Sequence, residues 1–246
     1  VAAVKIVAVA SGKGGVGKST VSLNLARALA ERGAAAGLLD ADVYGPDIPL
    51  MIGLKQTREL RSWMLGVNPA FGRMELAPVE RLGLKIMSVG FLLAEGQPMT
   101  MPATLIELVG RQLIHDVRWG DLDYLIVDLP PGTADLQQQL FRTVDLAGAI
   151  VVIGPQAAAH LDARKLVAML RGAGVPILGA VENMRGLACP HCGEQIDVFP
   201  PIAEERSILR EIELLGSVPL DPAYAALNGV PEPFLGIAER VVAALA

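Results

Sequence analysis

The chain has 246 residues, of which 52% are hydrophobic, 4% aromatic and 19% charged. A chain this apolar can offset its ordering entropy by burial, which excludes disorder, and its 26 Gly and 17 Pro follow no short period, which excludes a collagen-like or low-complexity chain. Its 21 Lys+Arg against 26 Asp+Glu leave a net charge of −5, which argues against a broad nucleic-acid binder, whose surface has to be basic.

Short apolar runs alternate with helical periodicities along the chain. Residues 6–10 read as a buried strand, and residues 20–32 as a helix with Val21, Leu25, Ala28 and Leu29 on one face, stopped by Gly33. A second strand is expected at 36–39. Residues 55–81 break every periodic pattern and read as a loop or irregular excursion. Strands follow at 84–89, 124–127, 149–153 and 177–181, separated by helices at 103–116, 136–144 and 157–171. The amphipathic helix 235–245 carries Arg240 as its only cation, too little for a membrane anchor, and is expected to pack on the sheet. The strands are continuous apolar runs, not alternating ones. This predicts an α/β fold: one doubly wound domain over 1–246, with a mostly parallel sheet covered on both faces by helices.

Two cysteines, Cys189 and Cys192, cannot form a disulfide scaffold and point to a reducing compartment. The longest apolar stretch, 146–159, is too short to span a bilayer and is broken by Gly154 and Pro155. The N-terminus has no charged region followed by a cleavage site. A cytoplasmic protein that binds neither membrane nor nucleic acid is expected.

The strongest motif is Gly12-Lys13-Gly14-Gly15-Val16-Gly17-Lys18-Ser19, followed by Thr20. It matches G-x-x-x-x-G-K-[ST] between a predicted strand and a predicted helix. Glycines let backbone N–H groups turn toward phosphate oxygens at a helix N-terminus. Lys18 would reach the β- and γ-phosphates and Ser19 would hold Mg²⁺. Lys13 is an extra cation: either an exposed loop lysine, or a charge delivered to phosphate from its own or a facing subunit.

Asp128 ends a strand before Leu129-Pro130-Pro131-Gly132-Thr133, where ligands bind in parallel sheets, and is expected to hold Mg²⁺ rather than merely cap a helix. Gly132 permits close backbone approach to a γ-phosphate. Asp40 and Asp42 follow the second strand. One would orient Mg²⁺ waters and the other position the attacking water, against the alternative of a solvated turn. Cys189-Pro190-His191-Cys192-Gly193 supplies two thiols, while His115 and His160 lie in unrelated segments. Two thiolates do not complete a tetrahedral site. A symmetric dimer would pool four, which suit either Zn²⁺ or an iron–sulfur cluster.

On these residues the phosphate loop resembles the deviant loop of MinD/ParA-class P-loop ATPases. Together with Leu39-Asp40-Ala41-Asp42-Val43-Tyr44-Gly45-Pro46-Asp47-Ile48-Pro49, Asp123-Tyr124-Leu125-Ile126-Val127-Asp128-Leu129-Pro130-Pro131-Gly132-Thr133, Val181-Glu182-Asn183-Met184 and the cysteine motif, the chain resembles the Mrp/ApbC family of iron–sulfur cluster carriers over nearly its whole length. The resemblance implies a homodimer that sandwiches ATP, with Lys13 reaching the partner's nucleotide and Asp42 positioning the hydrolytic water. It implies that Asn183 contacts adenine and that Pro219 lies near the base. It implies that Cys189 and Cys192 of two subunits bridge a 4Fe-4S cluster destined for apo iron–sulfur proteins. Three other readings compete with it. A MinD/ParA-like positioning switch would want a basic tail, and a small-molecule kinase would leave Lys13 and the thiols without a task. The third is the same ATPase dimer holding structural zinc.

Overall fold

The computed structural model describes residues 3–54, 66–68, 73–92, 113–114, 116–132, 135–189, 191–225 and 227–246. Its strands and helices, in chain order, are β1 (Lys5–Ala10), α1 (Lys18–Glu31), β2 (Ala36–Asp40), α2 (Ile48–Met51), β3 (Gly66–Asn68), β4 (Arg73–Glu75), β5 (Val79–Arg81), β6 (Leu84–Ser88), β7 (Tyr124–Asp128), α3 (Asp135–Thr143), β8 (Gly148–Ile153), α4 (Ala157–Gly172), β9 (Ile177–Asn183), β10 (Leu187–Ala188), β11 (Gln195–Ile196), β12 (Leu214–Val218) and α5 (Glu232–Ala244).

Eight strands form one sheet in the order β12-β9-β8-β1-β7-β2-β6-β5. Every pairing in it is parallel except β5 with β6. All six residues of β8 and all five of β2 are buried, as continuous apolar runs require when both faces are covered. From β1 the chain moves through α1 to β2 on one side. From β8 it moves through α4 to β9 on the other. With the right-handed crossover that parallel strands take, opposite directions of travel put α1 and α4 on opposite faces. The reversal falls between β1 and β8, and at such a switch point loops part to leave a ligand crevice at the strands' C-terminal ends.

Helix α1 ends where predicted, with Gly33 in the left-handed region at φ 89°. Helix α5 packs on α1 and β12. Its one cation, Arg240, is exposed and donates to the Leu215 carbonyl at 2.7 Å. Arg27 of α1 similarly donates to Asn24 Oδ1 and to the carbonyls of Leu227 and Gly229, clamping the segment that leads into α5. No helix among the described residues is long and apolar enough to cross a membrane.

Two expectations are corrected. The described residues within 55–81 are not merely irregular: β3 and β4 pair antiparallel, and β5 joins the main sheet antiparallel to β6. Strands of three residues are too short to set a periodicity, and the β5–β6 turn places Leu82 (φ 56°) and Gly83 (φ 73°) in the left-handed pairing of a tight hairpin. The second correction is β12, an edge strand absent from the sequence reading because Gly216 and Ser217 interrupt it. Gly216 is required by packing, since a Cβ there would lie 2.6 Å from Ile237 Cγ1 of α5. Most of the helix expected at 103–116 lies outside the described residues, as do Thr133 and His115.

Phe234 anchors α5 from a fully buried position, edge-on to Tyr224. Phe234→Ala is expected to cost about 3–5 kcal/mol, read as a lowered urea midpoint with unchanged slope. A loss under about 1 kcal/mol would show that α5 is not part of the cooperative core.

Candidate nucleotide site and thiol hairpin

The loop between β1 and α1 is shaped by glycines with distinct tasks. Gly12 lies against the backbone of α4: a Cβ there would sit 2.4 Å from the Asp162 carbonyl carbon. Gly15 (φ 77°) and Gly17 (φ 79°) occupy the left-handed region that turns successive N–H groups to one side. Helix α1 begins at Lys18 with no side-chain cap and no acidic residue in its first turn. Its leading N–H groups and positive end therefore favour an anion. Ser11 Oγ donates to the Lys13 carbonyl at 2.9 Å, and the Lys13 side chain is exposed.

The carboxylates converge because of sheet register. Asp40 at the end of β2 pairs with Asp128 at the end of β7, and Asp128 pairs with Val9 of β1. Lys18 Nζ lies 2.8 Å from Asp128 Oδ1, 3.7 Å from Asp42 Oδ2 and 3.4 Å from Ser19 Oγ. Ser22, one turn further along α1, donates to the same Asp128 Oδ1 at 2.6 Å. Asp128 is fully buried, and its Oδ2 has no hydrogen-bond partner. A buried carboxylate oxygen left free next to the Lys18 that also meets Ser19 Oγ fits Mg²⁺ or one of its waters.

Asp42 meets both of its sequence readings. Its Oδ1 accepts from the N–H groups of Tyr44 and Gly45, each at 3.3 Å, which is a turn. Its Oδ2 faces Lys18. Burial raises the Asp42 carboxyl, and Lys18 opposes that rise. Asp40 is placed differently from its neighbour. Its Oδ2 accepts from Ser88 Oγ (2.8 Å) and Ile48 N–H (3.3 Å), and its Oδ1 from Asp42 N–H (3.2 Å). Both of its oxygens hold the 40–48 loop in place.

The turn after Asp128 leans on the phosphate loop. Pro131 lies 3.8 Å from the place a Cβ on Gly14 would take, and Gly132 (φ 88°) donates its N–H to the Ser11 carbonyl at 2.9 Å. Gln137, buried on α3, donates to the Pro130 carbonyl. From the other side, Asn183 at the end of β9 donates Nδ2 to the Val16 carbonyl at 2.8 Å. Pro219 follows Val218, the residue that pairs with Asn183 in the β9–β12 register. The structure thus brings together all the loop residues with Asp40, Asp42, Asp128, Gly132, Asn183 and Pro219. Sequence reading missed Ser22, Ser88 and Gln137. Only Ser22 left a signal, as a hydroxyl four residues after Lys18 on the apolar side of α1.

The two thiols lie at the tip of a separate hairpin, in which β10 pairs antiparallel with β11. Cys189 N–H donates to the Glu194 carbonyl and Gly193 N–H to the Cys189 carbonyl, each at 2.8 Å. The N–H groups of His191 and Cys192, followed by the Cys192 side chain, pull the Cys189 thiol below its ordinary pKa. That arrangement favours thiolate, the form that binds metal. Cys189 is half-buried and Cys192 exposed. Among the described residues no cluster of three or more His, Cys, Asp or Glu could hold a metal ion.

His160 is fully buried on α4 and accepts from Ile208 N–H at Nδ1 (3.3 Å), so it is structural. Near it Glu182, Arg185, Ser207, Leu209 and Ser217 line a cavity of about 340 Å³.

This combination of sheet order, loop and carboxylates defines a P-loop NTPase. Solved structures agree: the chain superposes on a nucleotide-binding protein in complex with ADP from Archaeoglobus fulgidus with a TM-score of 0.72 and 36% identity, covering 96% of this chain and 87% of that one. It shares the fold of the Pyrococcus furiosus cell division ATPase MinD, with a TM-score of 0.63 at 24% identity, covering 97% and 98%. The chain belongs to the NUBPL iron-transfer P-loop NTPase family, whose model matches residues 2–244. Proteins named iron-sulfur cluster carrier protein are 42% identical over 233 residues in Aquifex aeolicus and 39% identical over 255 residues in Pyrococcus furiosus. These matches cover 94% and 96% of this chain, which spans 61% of the Aquifex protein's length and 85% of the Pyrococcus one's.

Burial, and then the charge of Asp128, push the Asp40 carboxyl up to about 8 from an ordinary 3.8. The folded chain therefore keeps a proton that the unfolded chain releases. Asp40's contribution to stability is complete below about pH 4 and declines as pH rises toward about 8. Asp40→Asn is expected to flatten that decline, read by urea unfolding at about pH 5 and about pH 8. An unchanged slope would place that retained proton on another group.

Proposed function

We propose that the chain is a cytoplasmic ATPase that carries a 4Fe-4S cluster between two copies of itself and delivers it to apo iron–sulfur proteins. The observation that supports this most is a hairpin built to stabilise thiolate, standing on a P-loop scaffold in a family defined by iron transfer. Two thiolates per chain meet a four-thiolate requirement when two chains face each other.

In this reading Gly12 to Thr20 cradle the phosphates, and Lys18 exchanges Asp128 for phosphate oxygens. Ser19 and Asp128 would hold Mg²⁺, which neutralises charge on the β- and γ-phosphates. Asp42, fixed by its turn, orients the attacking water. Lys13, exposed and unconstrained by its neighbours, reaches the partner's nucleotide and stabilises charge in the transition state. Asn183 and Pro219 flank the base. The relatives' names, which speak of iron–sulfur cluster carriers, favour this over a positioning switch, and α5 offers no basic face to a membrane.

Anaerobic reconstitution with iron and sulfide should give a brown species with about one cluster per two chains, lost in Cys189→Ser and Cys192→Ser. Stoichiometric zinc without cluster uptake would make the thiol site a structural one instead. Lys18→Ala should abolish measurable nucleotide binding in calorimetry. Lys13→Ala should keep binding and slow hydrolysis by about tenfold or more. Equal turnover in Lys13→Ala would remove the role in trans.

A further inference from the structure

The phosphate loop and the thiol hairpin meet on one short stretch of chain. Asn183 touches the first, and Cys189 begins the second. We propose that Asn183 and Arg185 are positioning residues that transmit occupancy of the phosphate loop to the Cys189 and Cys192 thiols. The inference rests on the nucleotide reading of that loop and is independent of which metal the thiols take.

The first joint is the Val16–Gly17 peptide. Its carbonyl accepts from Asn183 Nδ2, while its N–H belongs to Gly17 and, the peptide being trans, points the opposite way. One rigid peptide plane carries both groups, so turning the N–H toward a phosphate oxygen swings the carbonyl against Asn183. Asn183 packs directly against Gly17, since a Cβ there would lie 2.2 Å from Asn183 Nδ2.

Beyond Asn183 the chain is tightly turned. Met184 sits at φ 61°, a left-handed conformation that costs a long side chain free energy, and Gly186 follows at φ 70°. Arg185 N–H donates to the Val218 carbonyl, and the Gly186 carbonyl accepts from Leu220 N–H, each at 2.9 Å, so the backbone pivots on β12.

The second joint is the Arg185 guanidinium. It lies 3.3 Å from Glu182 Oε1 on β9 and 4.0 Å from Asp197 Oδ1, the residue after β11. It therefore reaches from the end of the sheet toward the residue that follows the hairpin, through an exposed contact on the Asp197 side. Glu182 is also held by Ser217 Oγ at 3.4 Å, which fixes the sheet side of that reach. The cavity of about 340 Å³ that Arg185 lines leaves room for its side chain to shift. A hairpin of two-residue strands has little resistance of its own to follow a different course.

The test measures iodoacetamide alkylation of Cys189 and Cys192 in the reduced, anaerobic full chain by mass spectrometry. Rates are compared with and without saturating Mg-ADP and Mg-ATP, with light scattering and nucleotide calorimetry alongside. Nucleotide is expected to change the Cys192 rate by about fivefold or more. Arg185→Ala should keep nucleotide affinity and turnover yet lose that change. Asn183→Ala, brought to nucleotide saturation, should lose it too. The proposal is overturned if the wild-type chain binds nucleotide with unaltered alkylation. It is equally overturned if Arg185→Ala retains the full effect, including an effect that follows only the association of two chains. A chain that calorimetry shows to bind neither nucleotide overturns the nucleotide reading itself, and this inference with it.

Discussion

One buried ammonium organises the upper edge of the sheet. Lys18 is in direct contact with Asp128 and faces Asp42, while Asp40 stands one strand away from Asp128. Three carboxyl groups against a single cation leave an excess of negative charge in a largely buried place. The protein manages that excess in two visible ways. Asp40 is surrounded by donors and pushed toward its protonated form, and Ser22 shares the load on Asp128. What is left is a free oxygen on Asp128. Immediately beside it the phosphate loop has the opposite character, with uncapped N–H groups and no acid in the first turn of α1. A crevice short of positive charge on one wall and of negative charge on the other is complementary to a metal–phosphate pair, and less so to either component alone.

The geometry follows from topology. Parallel strands deliver their C-terminal ends to one edge, so β1 supplies the loop, β2 and β7 the carboxylates, and β9 both Asn183 and the start of the thiol segment. No residue has to travel far. The glycines of the loop are the condition for this crowding. Gly12 lets α4 approach from one face, and Gly17 lets Asn183 approach from within the sheet. A methyl group at either position would separate elements whose contact the site uses.

Much of this was legible in the sequence, for a physical reason. The phosphate loop is a local object: eight consecutive residues whose backbone preferences specify their own shape. The buried parallel strands were equally plain, because burial on both faces leaves no polar residue to blur a run such as that of β8. What could not be read depends on register between distant segments. Nothing in the sequence near Ser88 reveals that it will donate to Asp40, nor does Asn183 announce Val16 as its acceptor. The same is true of β12, whose Gly216 looks like a break until Ile237 is seen to need the space. Asp40 and Asp42 look alike as a pair after a strand. Only the fold separates them, one braced on all sides and the other half turned toward Lys18.

The thiol hairpin contrasts with everything beneath it. Its strands are two residues long, and Ile196, Val198 and Phe199 lie exposed along its exit, whereas the sheet is closed over a continuous apolar core. The apolar core that stabilises the fold therefore lies apart from the two cysteines. In a small zinc domain the metal's binding free energy is the folding free energy, so losing the metal means unfolding. Here the core is built from the sheet and its helices, so under the proposed function binding at Cys189 and Cys192 would be made or lost at the cost of a local rearrangement. A site meant for permanent metal gains from being wired into the core. The proposed carrier role, in which a cargo is given up, would gain from a site left outside the core.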